Sequence, residues 1–355
     1  MYASDIGNDQ AQGLMRVAMQ RIVRSVVAVS AFACVLAAAD AQAQEKVTLR
    51  VSSFLPPQGF LNVAIVQPFL DRVAADSQGT LEFRFFPGGT LGRAAGQQLK
   101  LVQEGAADIA VVMPAYTPGA FEAYNVTQLP GVAASTRASA VGAWRAFEAG
   151  LLPEPEGVKI LGIVPTASNI LHVKEPAPTI ASLAGRKIRT AGALQLSAMN
   201  KLGAAGVGNI LGPEIAEALS RNLLDGVLMD WIGIKEFRVD RTAQHHMEVD
   251  FGRVAITLPI NKQRFDSLPE PAKAALLKHG GLAYAHAGGQ AFDDGVKEFR
   301  ANYAKERGHT AGTFPPSDQE KIDAAFKEVV NEWVGGEAGR DKILDVFRKS
   351  AAEVK

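Results

Sequence analysis

Cysteine is nearly missing from this chain. The single Cys34 lies close to the N-terminus, ahead of an expected cleavage point, so the remainder has no disulfide and no thiol chemistry. A domain without such staples must be held by burial alone, and 355 residues are enough for more than one ordinary core. Net charge is missing too: 37 basic residues balance 37 acidic ones, with no run of Lys or Arg. Nothing general therefore draws the chain to nucleic acid or to an anionic membrane. Beyond residue 43 no segment is apolar over the roughly 20 residues a bilayer span requires. Catalytic signatures are absent as well, with no G-x-S-x-G, H-E-x-x-H or C-x-x-C. Gly203-Ala-Ala-Gly206-Val-Gly208 lacks both the dinucleotide spacing and the lysine of a nucleotide loop, and reads as a turn after a helix. His245-His246 with Glu248 and Asp250 matches no standard ligand set, because adjacent side chains do not face one site. No metal, no cofactor and no catalytic residue is expected.

What is present starts with a targeting pattern. Arg16, Arg21 and Arg24 precede an apolar stretch from Ser25 to Ala38, followed by Ala41-Gln42-Ala43. A basic start, a short apolar core and an A-x-A box describe a cleaved secretory signal. Residues 1–43 are read as that signal, with Met15 or Met19 as the true start, and the mature chain is expected to be soluble and periplasmic.

A β-α-β-α-β rhythm follows. Lys46 to Phe54 and Leu81 to Phe86 alternate as strands, Ala64 to Asp76 and Ala94 to Gly105 carry helical spacing, and Ala107 to Val112 reads as a short buried strand. The rhythm returns with strands at 158–164, 186–189, 224–229 and 254–260 and helices at 195–202 and 213–221. Beyond Glu270 the pattern is long and helical. This predicts an α/β fold with a mainly parallel sheet. No linker composition appears, so two lobes would be interwoven rather than strung in line.

Arg189 ends the segment Gly185-Arg186-Lys187-Ile188-Arg189, which opens a β-α unit. Ligands of open α/β sheets gather beyond the carboxyl ends of strands. A guanidinium there offers a planar fork that matches a carboxylate. A solvated strand-end arginine is the commoner outcome on sequence alone.

Several segments together resemble the DctP-type substrate-binding proteins of tripartite ATP-independent periplasmic (TRAP) transporters. They are Phe86-Pro-Gly-Gly-Thr-Leu-Gly92, Val102-Gln-Glu-Gly-Ala-Ala-Asp-Ile109, Leu183-Ala-Gly-Arg-Lys-Ile-Arg189, the run Pro213 to Gly226, and Ile260-Asn-Lys-Gln-Arg-Phe-Asp-Ser-Leu-Pro269. Their order and spacing match over nearly all of residues 46–335. The resemblance implies a two-lobed periplasmic solute-binding protein fold with hinge strands and long C-terminal helices. It implies lobe I over 44–166 and 255–294, and lobe II over 167–254 and 295–355. It also implies that Arg189 forms a salt bridge with the substrate carboxylate.

Departures from the family pattern shape the expected ligand. A second arginine that many relatives carry upstream is missing, and Thr166-Ala-Ser-Asn-Ile-Leu-His172 stands there instead. Met229 stands where an asparagine is common. The site thus reads as poorer in polar donors than one for sugar acids or dicarboxylates. An aromatic or apolar monocarboxylate is expected, with Phe54, Tyr116, Met229 and Trp231 as walls. Thr166, Ser168, Asn169 and His172 are candidate hydrogen-bonding groups, and Asp230, between Met229 and Trp231, is a further candidate ligand-binding residue.

The expected partners are the acid and the membrane subunits of a TRAP transporter, with the chain a monomer because its last segment is short and highly charged. Alternatives are an extracytoplasmic sensor or scaffold signalling to a membrane kinase, a binder of sugar acids or dicarboxylates, and an enzyme, which would need a base or nucleophile beside Arg189. Export makes the first prediction: N-terminal sequencing of the secreted chain should begin at Gln44, directly after the A-x-A box. Retention of Cys34 in the exported product contradicts the reading.

Overall fold

The computed structural model describes residues 46–354. The expected signal, residues 1–43 with Cys34, lies outside the described residues. Among the described residues eleven strands form two sheets: β1 (Val47–Ser52), β2 (Leu81–Phe86), β3 (Ile109–Ala110), β4 (Val158–Pro165), β5 (Ile170–Val173), β6 (Lys187–Arg189), β7 (Ala205–Val207), β8 (Gly226–Met229), β9 (His245–Met247), β10 (Ala255–Asn261) and β11 (Thr310–Gly312). The first sheet runs β2-β1-β3-β10-β4 and the second β11-β9-β5-β8-β6-β7.

Both sheets are mixed, where a mainly parallel one was expected. In the first, β1 pairs in parallel with β2 and β3, but β10 runs antiparallel to β3 and β4. In the second, β5 runs antiparallel to β8 and β9. The reason is the path of the chain. It leaves the first sheet along β4, enters the second along β5, and returns from β9 into β10. Strands joined by such a crossing and return must oppose their neighbours. The glycine-rich segment at 203–208 also differs from a simple turn: Gly203 turns the chain at φ +88°, and β7 then pairs in parallel with β6.

The two crossing segments bind each other. Thr166 N donates to Val254 O at 2.8 Å, Asn169 N to Gly252 O at 2.9 Å, and Phe251 N to Asn169 O at 3.0 Å. Ser168 Oγ donates to Asp250 Oδ1 at 2.6 Å. Gly252 adopts φ +81°, and a Cβ there would stand 2.2 Å from Gln128 O. Only glycine fits that approach.

Helices cover the first sheet through Gln67–Asp76, Thr136–Glu148 and Gly281–Tyr303. Ser135 caps the second of these by accepting from Ala138 N, while the Asp293 carboxylate accepts from Thr136 N at 2.8 Å and Arg137 N at 3.0 Å. A carboxylate at a helix N-terminus offsets the positive end of its dipole. The helix Thr136–Glu148 fell in a stretch whose periodicity had predicted no element. Its face is built from Ala138, Ala140, Gly142, Ala143 and Ala146, which allow close packing but carry little hydrophobic contrast. The helix Gly281–Tyr303 touches β4 and also the helix Trp231–Glu236, which follows β8, so it spans both sheets. The final helix, Arg340–Ala352, packs against Thr136–Glu148 beside the first sheet, whereas 295–355 had been grouped with the second lobe. Its apolar stripe of Ile343, Leu344 and Phe347 finds cover there, with Phe347 against Gly142. Among the described residues no helix is long and apolar enough to cross a membrane.

The long helix approaches its neighbour closely at Gly289, where an added Cβ would stand 2.4 Å from Arg137 Cα. Backbone cannot yield as a flexible side chain can. Gly289→Val is expected to lower stability by about 1–3 kcal/mol through overpacking. Chemical denaturation measures this, and an unchanged midpoint contradicts so close a crossing.

Candidate functional site

A cavity of about 60 Å³ lies between the two sheets. Water-sized volumes of roughly 10–15 Å³ each would fit several times, so an occupant must be small. Most of its wall is apolar. Leu55, Leu61, Val111, Met113, Ile256 and Phe292 come from the first-sheet side, and Leu228, Met229, Ile232 and Phe237 from the second. The polar lining is short: Tyr116, Thr166, Asn169, Arg189, Asp230 and Glu236.

Arg189 sits at the end of β6 and is only 1% exposed. Its Nε donates to Ile210 O at 2.8 Å and its Nη2 to Tyr116 Oη at 3.2 Å. Among the described residues no carboxylate lies within ion-pair range of it. It is also the one Lys or Arg among the described lining residues. Tyr116 Oη accepts a second bond from Gly212 N at 3.2 Å. Both acceptor positions are thus taken, and the phenol O–H remains to donate. Asn169 is 3% exposed, and its backbone pairs with the crossing partner. Its side-chain amide makes no hydrogen bond to the described residues. Cation, phenol and amide together form a donor-rich end suited to an anion.

The other polar groups are carboxyls. Asp230 ends β8 and caps Trp231–Glu236, its Oδ1 accepting from Ile232 N and Gly233 N at 2.9 Å each. Burial raises its pKa to about 6, although the Gly233 and Ile232 amides pull the other way. Ile232, Gly233 and Glu236 share one face of that helix at i, i+3/i+4 spacing, and all three line the cavity. Burial, with Asp230 adding to it, pushes Glu236 to about 8. Its Oε1 is sealed from solvent without a hydrogen-bond partner among the described residues.

Of the residues singled out by sequence, Tyr116, Thr166, Asn169, Arg189, Met229 and Asp230 line this cavity. Phe54, Ser168, His172 and Trp231 do not, and each has another engagement. Phe54 packs edge-on behind Tyr116 with ring centroids 6.2 Å apart. Ser168 is bonded to Asp250 in the crossing pair. His172, fully buried, stands behind Met229: its Nε2 lies 3.0 Å from Met229 O and its Nδ1 2.7 Å from His246 Nδ1. His246 Nε2 continues to His309 Nδ1 at 2.9 Å. A carbonyl only accepts, so His172 must carry its proton on Nε2, which orders the tautomers along the row. Burial lowers His172 to about 3 and depresses His246 as well, so both are neutral. Trp231 packs against His172, His246 and Tyr303. Thr166 lines the cavity, but its hydroxyl already donates to Ala167 O and accepts from Val254 N. Glu236, Phe237 and Phe292 were missed by sequence reading. The helical spacing from Asp230 was the available signal for Glu236.

Two α/β lobes on crossed strands, closing around a buried cation, define the class: a solute receptor of the periplasmic-binding kind. The chain belongs to the bacterial extracellular solute-binding proteins of family 7, the DctP family, whose sequence model matches residues 52–335. Similar proteins include the outer membrane transporter protein TsaT of Comamonas testosteroni, 25% identical over 88% of this chain and 93% of that one. A TRAP solute-binding protein from an unidentified marine microbe, specific for aromatic acids and solved with 3-hydroxybenzoate, is 24% identical. It covers 87% of this chain and 99% of its own, with a TM-score of 0.81. Another, from Rhodoferax ferrireducens with copurified benzoate, is 23% identical over 87% and 98%, also with a TM-score of 0.81. The resemblance read from the motifs and the two-lobed fold class are both borne out.

The carboxyls make stability depend on pH. Glu236 rises from 4.5 to about 8 on folding, so its contribution is full below pH 4.5 and is lost as pH climbs towards 8. Asp230 behaves alike over 3.8 to about 6, while His172 contributes only above its unfolded value of 6.5. Between pH 6.5 and 8 Glu236 alone of these groups titrates. The ligand-free protein should lose stability across that window, by at most about 1.4 kcal/mol per pH unit. Denaturation curves of Glu236→Gln should be flatter there, and an equal slope in both proteins contradicts the assignment.

Proposed function

We propose that this chain captures a small monocarboxylate with an aromatic or apolar body and delivers it to the membrane subunits of a TRAP transporter. The observation that carries the reading is Arg189, a buried cation without a carboxylate partner in a largely apolar cavity. A buried charge is stable only when paired. Tyr116 and Asn169 offer further donors beside it, and the apolar wall suits a ring or chain. Asp230, ionised above about pH 6, would repel a second carboxylate, which weighs against dicarboxylates. The aromatic acids carried by the two similar solved proteins agree with this chemistry.

The lobes in this reading follow the sheets, 46–166 with 255–294 and 340–352 in one and 167–254 with 295–335 in the other. The paired crossing segments act as the hinge. An acid bound to Arg189 between the lobes stabilises the closed form, and that form docks on the transporter. The protein acts in this reading as a receptor rather than an enzyme, in keeping with a family and fold of solute-binding receptors. Residues 1–43 act as the export signal.

Isothermal titration with benzoate tests the reading. Arg189→Ala should weaken binding by at least about 2–5 kcal/mol. Arg189→Lys should also bind poorly, because a point charge cannot replace the planar fork. Unchanged affinity in Arg189→Ala would place the carboxylate elsewhere.

A further inference from the structure

The cavity carries one polar group that recognition of a carboxylate leaves unused. Glu236 stands on the last turn of the helix that Asp230 caps, about 9 Å further along its axis at 1.5 Å per residue. Arg189 is not among the groups that shift its ionisation; only burial and Asp230 are. Both groups line the one cavity, Arg189 from the end of β6 and Glu236 from the end of the helix after β8. The carboxyl lies against the loop of the opposite sheet, since a Cβ on Gly59 would stand 2.2 Å from Oε1. Around it the wall is apolar, with Leu61, Ile232, Phe237 and Phe292. Oε1 is sealed against Gly59 and unbonded among the described residues, so the carboxyl is costly to bury, and a ligand hydrogen bond to it would offset that cost.

We propose that Glu236 is a specificity-determining residue, hydrogen-bonding a neutral polar substituent at the end of the ligand remote from its carboxylate. This rests on the receptor reading above and names the ligand's second handle. Held neutral by burial beside Asp230, the carboxyl both donates and accepts. It can therefore serve a hydroxyl, which also does both. A second anion is disfavoured by Asp230, which is ionised above about pH 6. A hydrogen-bonding site discriminates against the analogue lacking the group, because its own polar atom is then left buried and unpaired.

The test is a ratio of affinities, measured by calorimetry at pH 7 on the whole mature chain. Wild type should bind the better of 3- and 4-hydroxybenzoate about tenfold or more tightly than benzoate. Glu236→Gln, which keeps a donor and an acceptor, should retain most of that ratio. Glu236→Leu should bring it close to one, and Glu236→Ala serves the same purpose if the leucine variant does not fold. A ratio preserved in the leucine or alanine variant overturns the proposal. So does a wild-type preference for 3-(aminomethyl)benzoate over both hydroxybenzoates, which would make Glu236 the partner of a cation. Failure of wild type to bind any of these acids instead counts against the receptor reading itself.

Discussion

A guanidinium buried between two sheets without a carboxylate is the constraint on which the rest of this structure depends. The effective cost of burying an unpaired ion is several kcal/mol. Ile210 O and Tyr116 Oη satisfy two of Arg189's donors with partial charges only. In the proposed reading a bound carboxylate would supply the missing full charge, in surroundings where water no longer screens the pair. In that reading lobe closure is coupled to anion binding for this reason. Sealing the cavity without an anion strands a cation, whereas sealing it around one strengthens the attraction.

That coupling needs lobes that move while staying in register. The crossing segments supply the connection, because 166–169 and 250–254 bond to each other through backbone and through Ser168 and Asp250. The long helix Gly281–Tyr303 reaches from β4 to Trp231–Glu236 and ties the same two halves together. Behind the cavity, the row His172–His246–His309 holds Met229 in place through its carbonyl, and all its members that are deeply buried stay neutral. The cavity wall is thus backed by hydrogen-bonded rings behind Met229, with Arg189 as its one cation among the described lining residues.

How much of the site could be read beforehand depended on the kind of signal. Arg189 was legible because it ends a short strand inside a recognisable run, and strand ends are where such sheets bind. Tyr116 and Met229, expected as walls, and Asn169, expected as a hydrogen-bonding group, line the cavity. Phe54, His172 and Trp231 were nominated on the same grounds and face other partners, because side-chain direction at a strand end or helix start depends on what packs behind it. Glu236 carried no local mark beyond its helical spacing from Asp230. Its character comes from Gly59 and Phe292, which lie far away along the chain.

The sequence by itself determined the α/β rhythm, the family, and the strand-end position of Arg189, since periodicity, turn residues and motif spacing are local properties. Only the tertiary structure decided that both sheets are mixed, that the last helix returns to the first sheet, and which nominated side chains reach the cavity. Those outcomes depend on which surfaces meet after the chain has crossed between lobes and come back, and no short window of residues contains that information.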